Sequence, residues 1–144
     1  MDFDIVLVGA GLVGASFAMA LRGAGLKLAL VEAQTPAAAA DSWDSRIYAV
    51  SPGSAAFLDG LGVWKRLECE RICAVHEMQI RGDRADALLQ FSAYESGVPE
   101  LAWIVESRRL QSVLWQGLEH QHKLELVCPD RCEALQLRDE AAEL

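Results

Sequence analysis

Gly9, Gly11 and Gly14 stand between two short apolar runs, Ile5 to Val8 and Leu28 to Val31, and no other stretch restricts the fold as strongly. Ile5 to Val8 is a β-branched run of strand length. After Gly14, the residues Ala18, Leu21 and Gly25 recur at helical spacing, and the second apolar run ends on an acid, Glu32. Strand, glycine turn, helix and parallel strand in this order form the βαβ unit that accepts an ADP moiety. Gly9 permits the tight turn out of the strand, Gly11 lets a pyrophosphate approach bare backbone, and Gly14 lets the helix lie close on the sheet. Amides at the helix start, near Leu12 and Val13, carry about half a positive charge, which favours a dianionic ligand. Glu32, at the tip of the second strand, can accept hydrogen bonds from ribose hydroxyls. It would repel a 2′-phosphate, so NADP is a poor occupant. A glycine turn made only for packing is the alternative, and the shared register of strand, small-residue helix face and acidic tip argues against it.

Composition narrows the remaining classes. A chain of 144 residues that is 52% hydrophobic can bury one sizeable core, and one domain is the expected count. The 13 basic and 21 acidic side chains give a formal charge of −8, which repels phosphate backbones and argues against nucleic-acid binding. No apolar run reaches the roughly 18 residues of a membrane span and no basic leader precedes the first strand, so a soluble, cytoplasmic chain is expected. Cys69 with Cys73 and Cys128 with Cys132 are spaced more widely than most structural zinc pairs, so reduced and partly buried thiols are the expectation and a four-thiolate zinc site the alternative. His76, His120 and His122 are scattered, and no metal site is expected.

Beyond Glu32 the alanine-rich segment Gln34 to Asp44 reads as a loop or a weak helical turn. Ser51 followed by Pro52 is an N-cap with proline at the first helical position, opening a helix that Gly60 and Gly62 close. Trp64 then reads as core or cap. His76 to Arg81 alternates as a strand, Gly82 to Asp86 as a polar turn, and Leu88 to Ser92 can pair back as a hairpin. Gly97 and Pro99 mark a break before the apolar run Leu101 to Val105. Ser107 can cap a helix whose buried face carries Leu110, Val113, Leu114, Gly117 and Leu118, ending near His120. Leu124 to Val127 suits a third parallel strand beside the nucleotide unit, and Cys132 to Arg138 starts another. Asp139 to Leu144 offers no turn or cap that completes a domain, and Trp103 with Trp115 would leave an apolar surface bare.

With the glycine fingerprint in front and Asp44-Ser45-Arg46-Ile47-Tyr48-Ala49-Val50-Ser51 behind it, the chain resembles the flavin-dependent aromatic hydroxylases, the class A flavoprotein monooxygenases. The likeness is strongest to their ubiquinone-biosynthesis branch. Leu61-Gly62-Val63-Trp64 matches the end of that branch's next helix, and Trp103-Ile104-Val105-Glu106-Ser107 its strand-to-helix junction, so the resemblance spans roughly residues 4 to 118. It implies an α/β fold: a Rossmann-like FAD-binding βαβ unit with a parallel sheet plus a small antiparallel hairpin, incomplete relative to the family. Residues 1–144 would be the N-terminal part of the FAD-binding domain, with residues 70–105 starting the substrate-side sheet.

The resemblance further implies FAD as cofactor, NAD(P)H as electron donor, and hydroxylation by O₂ of the phenol ring of a polyprenylated ubiquinone precursor, the cofactor carrying the chemistry. Association with the periphery of the inner membrane or with a ubiquinone-biosynthesis complex stays open, as does the oligomeric state. Carried over by position, Gly9, Gly11, Leu12, Val13 and Gly14 would hold the pyrophosphate, Glu32 the adenosine ribose, Arg46 would lie near the phosphates and Arg108 near the ribityl chain. A guanidinium pairs well with phosphate; a salt bridge from Arg46 to Asp44 is the alternative use. No catalytic acid, base or nucleophile is assigned. The motifs built on Asp-Gly and Gly-Asp that follow later in the family have no counterpart here, so weak FAD affinity and little or no turnover are expected of the chain alone. An NAD-dependent dehydrogenase, another FAD oxidoreductase and a non-catalytic nucleotide-binding module are the rival readings. A dehydrogenase would continue strand-helix-strand after Glu32, where this chain has a loop and an antiparallel hairpin.

Overall fold

A strand-turn-helix-strand sequence opens the structure, a computed structural model that describes residues 2–38, 41–84, 86–138 and 141–144. In chain order the elements are β1 (Ile5–Val8), α1 (Leu12–Ala20), β2 (Leu28–Val31), β3 (Ile47–Val50), α2 (Pro52–Gly60), β4 (Ile72–Val75), β5 (Glu77–Arg81) and β6 (Leu88–Ser92). There follow α3 (Ala93–Ser96), β7 (Ala102–Glu106), α4 (Ser107–Glu119), β8 (Leu124–Val127), β9 (Gln136–Leu137) and β10 (Ala142–Glu143). The chain divides into two compact units, one formed by Met1–Ala38 with Gln111–Leu144 and the other by Ala39–Leu110.

In the first unit β2 lies between β1 and β8, and both pairings are parallel. Ile5, Leu28 and Leu124 form the first cross-sheet row and Val8, Val31 and Val127 the last, so all three strands finish level. Leu28, Ala29 and Leu30 are buried on both faces, as expected of a central parallel strand. Small residues on α1 let it close on the sheet: Ala15 and Ala18 have no solvent exposure. From α4, Leu114 and Leu118 are fully buried, each stabilising the unit by about 1.5–3 kcal/mol. Gln121 adds a polar tie, donating from Nε2 to the Ala18 carbonyl at 2.8 Å. The expected third parallel strand is β8. Of the strand expected over Cys132 to Arg138, only Gln136–Leu137 pairs, and Ala142–Glu143 folds back on it, so the terminal residues close a short antiparallel ladder. Asp139 and Glu140, which were expected to offer no turn, lie outside the described residues.

The second unit is antiparallel. β7 sits between β3 and β4, pairing Ile47 with Glu106 and Ile72 with Val105. Neither β3 nor β4 was anticipated: each is a four-residue strand beside a turn-like segment, and its periodicity is too short to register. β5 and β6 form the expected hairpin, with Ile80 opposite Leu89 and Met78 opposite Phe91; of its expected turn, Ala85 lies outside the described residues. α2 begins as its sequence demands, with the Ser51 hydroxyl accepting from the Ser54 N–H at 3.2 Å and Pro52 at the first helical position. Trp64 and Trp103 meet edge to face with centroids 5.6 Å apart. Trp103 and Trp115, expected to leave an apolar surface bare, are each half-buried; Trp103 meets Trp64, and in the first unit the Trp115 indole N–H donates to Glu119 Oε1 at 2.9 Å. The exposed large apolar side chains lie elsewhere, among them Val8, Val13 and Phe17 in the first unit and Leu89 and Phe91 in the second. A short helix, α3, stands where only a break was expected, and Gly97 in the left-handed region ends it. Of the alanine run, Ala39 and Ala40 lie outside the described residues; the described part has neither helix nor strand.

Candidate functional site

The level ends of the parallel strands deliver Gly9, Glu32 and Cys128 to one edge of the sheet, where open α/β sheets receive ligands. Gly9 leaves β1 with φ +97°, a backbone conformation that side chains other than glycine rarely adopt, and its N–H is held by the Val31 carbonyl at 2.8 Å. Gly14 is required for a different reason. A Cβ there would stand 2.0 Å from the Gly9 carbonyl oxygen, so the first turn of α1 rests directly on the backbone of the turn. Gly11, the residue before α1, has ordinary φ and extended ψ, and a Cβ on it would meet nothing within 4 Å. Its missing side chain leaves open space over the backbone.

That open space adjoins unused donors. Among the described residues, no acceptor takes the N–H groups of Gly11, Leu12 or Val13, the first groups of the helix. α1 carries no acidic residue in its first turn to neutralise them. Bare amides at a helix start, with room above them, fit a phosphate group.

Glu32 faces the same turn. Its Oε2 accepts the Ala10 N–H at 2.6 Å and its Oε1 the Gln34 N–H at 3.1 Å, while its own N–H is bound by the Val127 carbonyl at 3.0 Å. The carboxylate is therefore fixed at the sheet edge by backbone on both oxygens, each of which retains acceptor capacity. A residue that the sequence did not single out completes the turn: Gln111, on α4, donates from Nε2 to the Ala10 carbonyl. Its signal was present, since a glutamine interrupts the apolar stripe of α4 between Leu110 and Leu114.

Arg46 and Arg108 belong to the second unit, where they meet around Asp44. Asp44 Oδ1 accepts the Arg46 N–H at 3.0 Å and Oδ2 the Arg108 N–H at 3.1 Å, with the Arg108 guanidinium 3.6 Å from Oδ1. The Arg46 N–H beside it, with Arg108 adding to the effect, holds the Asp44 carboxyl below its usual value. The salt bridge considered for Arg46 is thus made by Arg108 instead. The Arg46 guanidinium is exposed, with no hydrogen-bonded or ion-paired partner for it among the described residues.

Behind Asp44 lies a buried ionic cluster that sequence reasoning missed. Glu106 Oε2 accepts the Asp44 N–H at 2.7 Å, and Oε1 lies 3.4 Å from both Arg71 Nε and Arg109 Nε. Arg71 also donates to the Asp41 carbonyl at 2.7 Å and stacks on Trp43 at 3.9 Å, while Arg109 reaches Glu68 at 2.7 Å. The Arg46 carbonyl is bound by the Ser107 N–H at 2.9 Å. The backbone around Arg46 is thereby fixed on both its polar sides. Among the described residues no group of three or more His, Cys, Asp or Glu side chains gathers as a metal site. The cysteines are free, and no described helix is long and apolar enough to cross a membrane.

No family model matches the chain. Solved structures define its fold. It superposes on a probable FAD-dependent monooxygenase, PqsL, from Pseudomonas aeruginosa with TM-score 0.70 at 21% identity, covering 96% of this chain and 36% of that one. The p-nitrophenol 4-monooxygenase PnpA from Pseudomonas putida gives 0.69 at 19% identity, over 95% of this chain and 34% of that one. The fold is that of the FAD-dependent monooxygenases: a parallel βαβ sheet with antiparallel sheets, as expected from the sequence, over about a third of such a chain.

Sequence narrows the class to a branch. The chain is 36% identical to the 3-demethoxyubiquinol 3-hydroxylase of Escherichia coli over 143 residues, which is 98% of this chain and 36% of that protein. It is 30% identical to the human mitochondrial ubiquinone biosynthesis monooxygenase COQ6 over 81% of this chain and 26% of that protein. By these likenesses the chain corresponds to the N-terminal portion of an FAD-dependent monooxygenase of the ubiquinone-hydroxylase branch. It spans between about a quarter and about a third of the length of these curated relatives.

Proposed function

We propose that the chain is the FAD-binding portion of a monooxygenase that hydroxylates the phenol ring of a polyprenylated ubiquinone precursor, with NAD(P)H and O₂ as co-substrates. The observation that carries this reading is the corner where Gly11, Leu12 and Val13 present unpartnered amides beside a carboxylate, Glu32, anchored to the same turn. The 36% likeness to a 3-demethoxyubiquinol 3-hydroxylase supplies the substrate class. Gly9, Gly11 and Gly14 with the amides of Leu12 and Val13 would receive the pyrophosphate, and Glu32 would accept from the adenosine ribose. Arg46 would pair with phosphate oxygens and Arg108 would lie toward the ribityl chain. FAD, when bound, supplies the redox and oxygen chemistry; the chain binds and orients it.

On this reading residues 1–144 are the N-terminal part of the FAD-binding domain, and residues 70–105 begin the sheet on the substrate side. The antiparallel order β3-β7-β4 after β2, in place of another strand-helix-strand unit, favours a flavoenzyme over an NAD-dependent dehydrogenase. The reading places its action in the cytoplasm or, as a polyprenylated substrate favours, at the periphery of the inner membrane. Weak FAD affinity and little turnover are expected of these 144 residues alone. The test is a titration of the purified chain with FAD, followed by quenching of flavin fluorescence. Saturable binding that Glu32→Gln weakens and 2′-phosphorylated nucleotides fail to compete supports the reading. Absence of binding, or equal competition by NADP, overturns it.

A further inference from the structure

The two peptide groups that flank Ala10 are each held by a side chain distant in sequence, Gly9–Ala10 by Glu32 and Ala10–Gly11 by Gln111. Glu32 Oε2 accepts the Ala10 N–H at 2.6 Å, and Gln111 Nε2 donates to the Ala10 carbonyl. Ala10 itself is buried, so neither backbone group has water as a substitute partner. In a trans peptide the N–H of one residue points opposite to the carbonyl before it. With the Ala10 carbonyl turned to Gln111, the Gly11 N–H is directed away from α4, and no described residue accepts it. The Gly11 backbone has no side chain to restrict it, so without these bonds the peptide plane is free to rotate.

We infer that Gln111 is a positioning residue for the phosphate-binding turn, orienting the Gly11 amide toward its anionic ligand through the Ala10 carbonyl. Glu32 then has two tasks, holding the sugar and, through the Ala10 N–H, holding the adjacent Gly9–Ala10 peptide. The inference deepens the FAD-binding reading and rests on it for the ligand, though the grip on Ala10 is measurable without one.

The chain carrying Gln111→Met, which keeps the length and helix preference of glutamine but has no donor, is compared with the wild type and with Gln111→Glu. FAD is the probe. A lost neutral hydrogen bond corresponds to roughly a fivefold to tenfold loss of affinity, expected for Gln111→Met. Gln111→Glu separates positioning from packing by its pH profile. Ionised, it cannot donate to the Ala10 carbonyl and repels it; protonated, its hydroxyl can donate. Its FAD affinity relative to wild type should therefore be low at pH 7.5 and recover toward pH 5, whereas Gln111→Met should show the same deficit throughout.

Hydrogen exchange of the Ala10 amide in the ligand-free chain is the second readout: its bond to Glu32 requires Ala10 to stay in the place where Gln111 holds the next peptide, so Gln111→Met should speed it. Unchanged FAD affinity in a folded Gln111→Met, or unchanged Ala10 exchange, overturns the inference. A flat pH profile for Gln111→Glu also overturns it. If wild type binds no FAD yet Ala10 exchange rises in Gln111→Met, the grip stands and the FAD reading fails. Should Gln111→Met not fold, the pH profile of Gln111→Glu alone decides.

Discussion

The two units solve the same task, holding a short polar loop still at the end of a sheet, by different means. In the first, the glycine turn is held by backbone geometry: the left-handed Gly9, the contact of Gly14 on the Gly9 carbonyl, and single hydrogen bonds from Glu32 and Gln111. In the second, the loop from Asp41 to Arg46 is held by charge, through Glu106 with Arg71 and Arg109 and through Asp44 with Arg108. A turn made of glycine geometry presents bare amides. A loop held by ion pairs can hold one cation apart from them, and Arg46 is that cation.

The largest effect should come from breaking the charged arrangement. Glu106 is buried with Arg71 and Arg109 around it, and Glu106→Ala leaves Arg71 without its carboxylate and Arg109 with Glu68 in place of two. A loss of about 3–5 kcal/mol is expected. Urea denaturation measures it, and hydrogen exchange should show the loss concentrated in β3, β4 and β7 with β1 and β2 spared. Uniform loss across both units would erase the contrast. Next in size is Gly14→Ala, whose Cβ would stand 2.0 Å from the Gly9 carbonyl. Overpacking of this kind costs about 1–3 kcal/mol, and here FAD affinity should fall with stability because the turn itself must move. Gly11→Ala is the control, since its Cβ has open space; it should fold normally while binding FAD less well.

Smaller again is Ser51→Ala, which removes the hydroxyl that caps α2. A loss of about 1 kcal/mol is expected from the midpoint of thermal or urea unfolding, with the nucleotide corner unaffected. The smallest effect is the pH response of Asp44. Its folded carboxyl titrates below 3.8, so the stabilisation it gives is present above that value and is lost as pH falls through the lowered folded value. Exchange of the Arg46 and Arg108 amides followed from pH 6 downward should quicken only in the acid range. Asp44→Asn should abolish that response; its survival in the variant would assign it to another carboxyl.

The same contrast explains which parts of the molecule could be read in advance. β1, α1, β2 and β8 were legible because each is an apolar run bounded by glycine, an acid or proline, and the glycine spacing fixes their order. The corner at Gly9, Gly11, Gly14 and Glu32 followed from the same signals. β3 and β4 were not legible, because four-residue strands whose outer faces are exposed leave no period to detect. The role of Glu106 was hidden for a different reason. Its partners Arg71 and Asp44 are distant along the chain and no spacing pairs them with it; Arg109 stands three residues on, but a strand-to-helix junction separates the two. Gln111 could have been noticed as a polar residue on an apolar helix face, but only the fold names the carbonyl it meets.

The unit that carries the glycine corner is split in sequence, and the one inserted within it is continuous. On a ribosome, Ala39–Leu110 is therefore complete while the opening strands still lack their third neighbour. β2 acquires that neighbour only when Leu124–Val127 emerges, and Glu32 is tied from two directions by late residues, to the Val127 carbonyl through its N–H and to the Asp130 N–H through its carbonyl. The carboxylate that anchors the glycine turn thus leaves the ribosome about a hundred residues before the backbone that secures it.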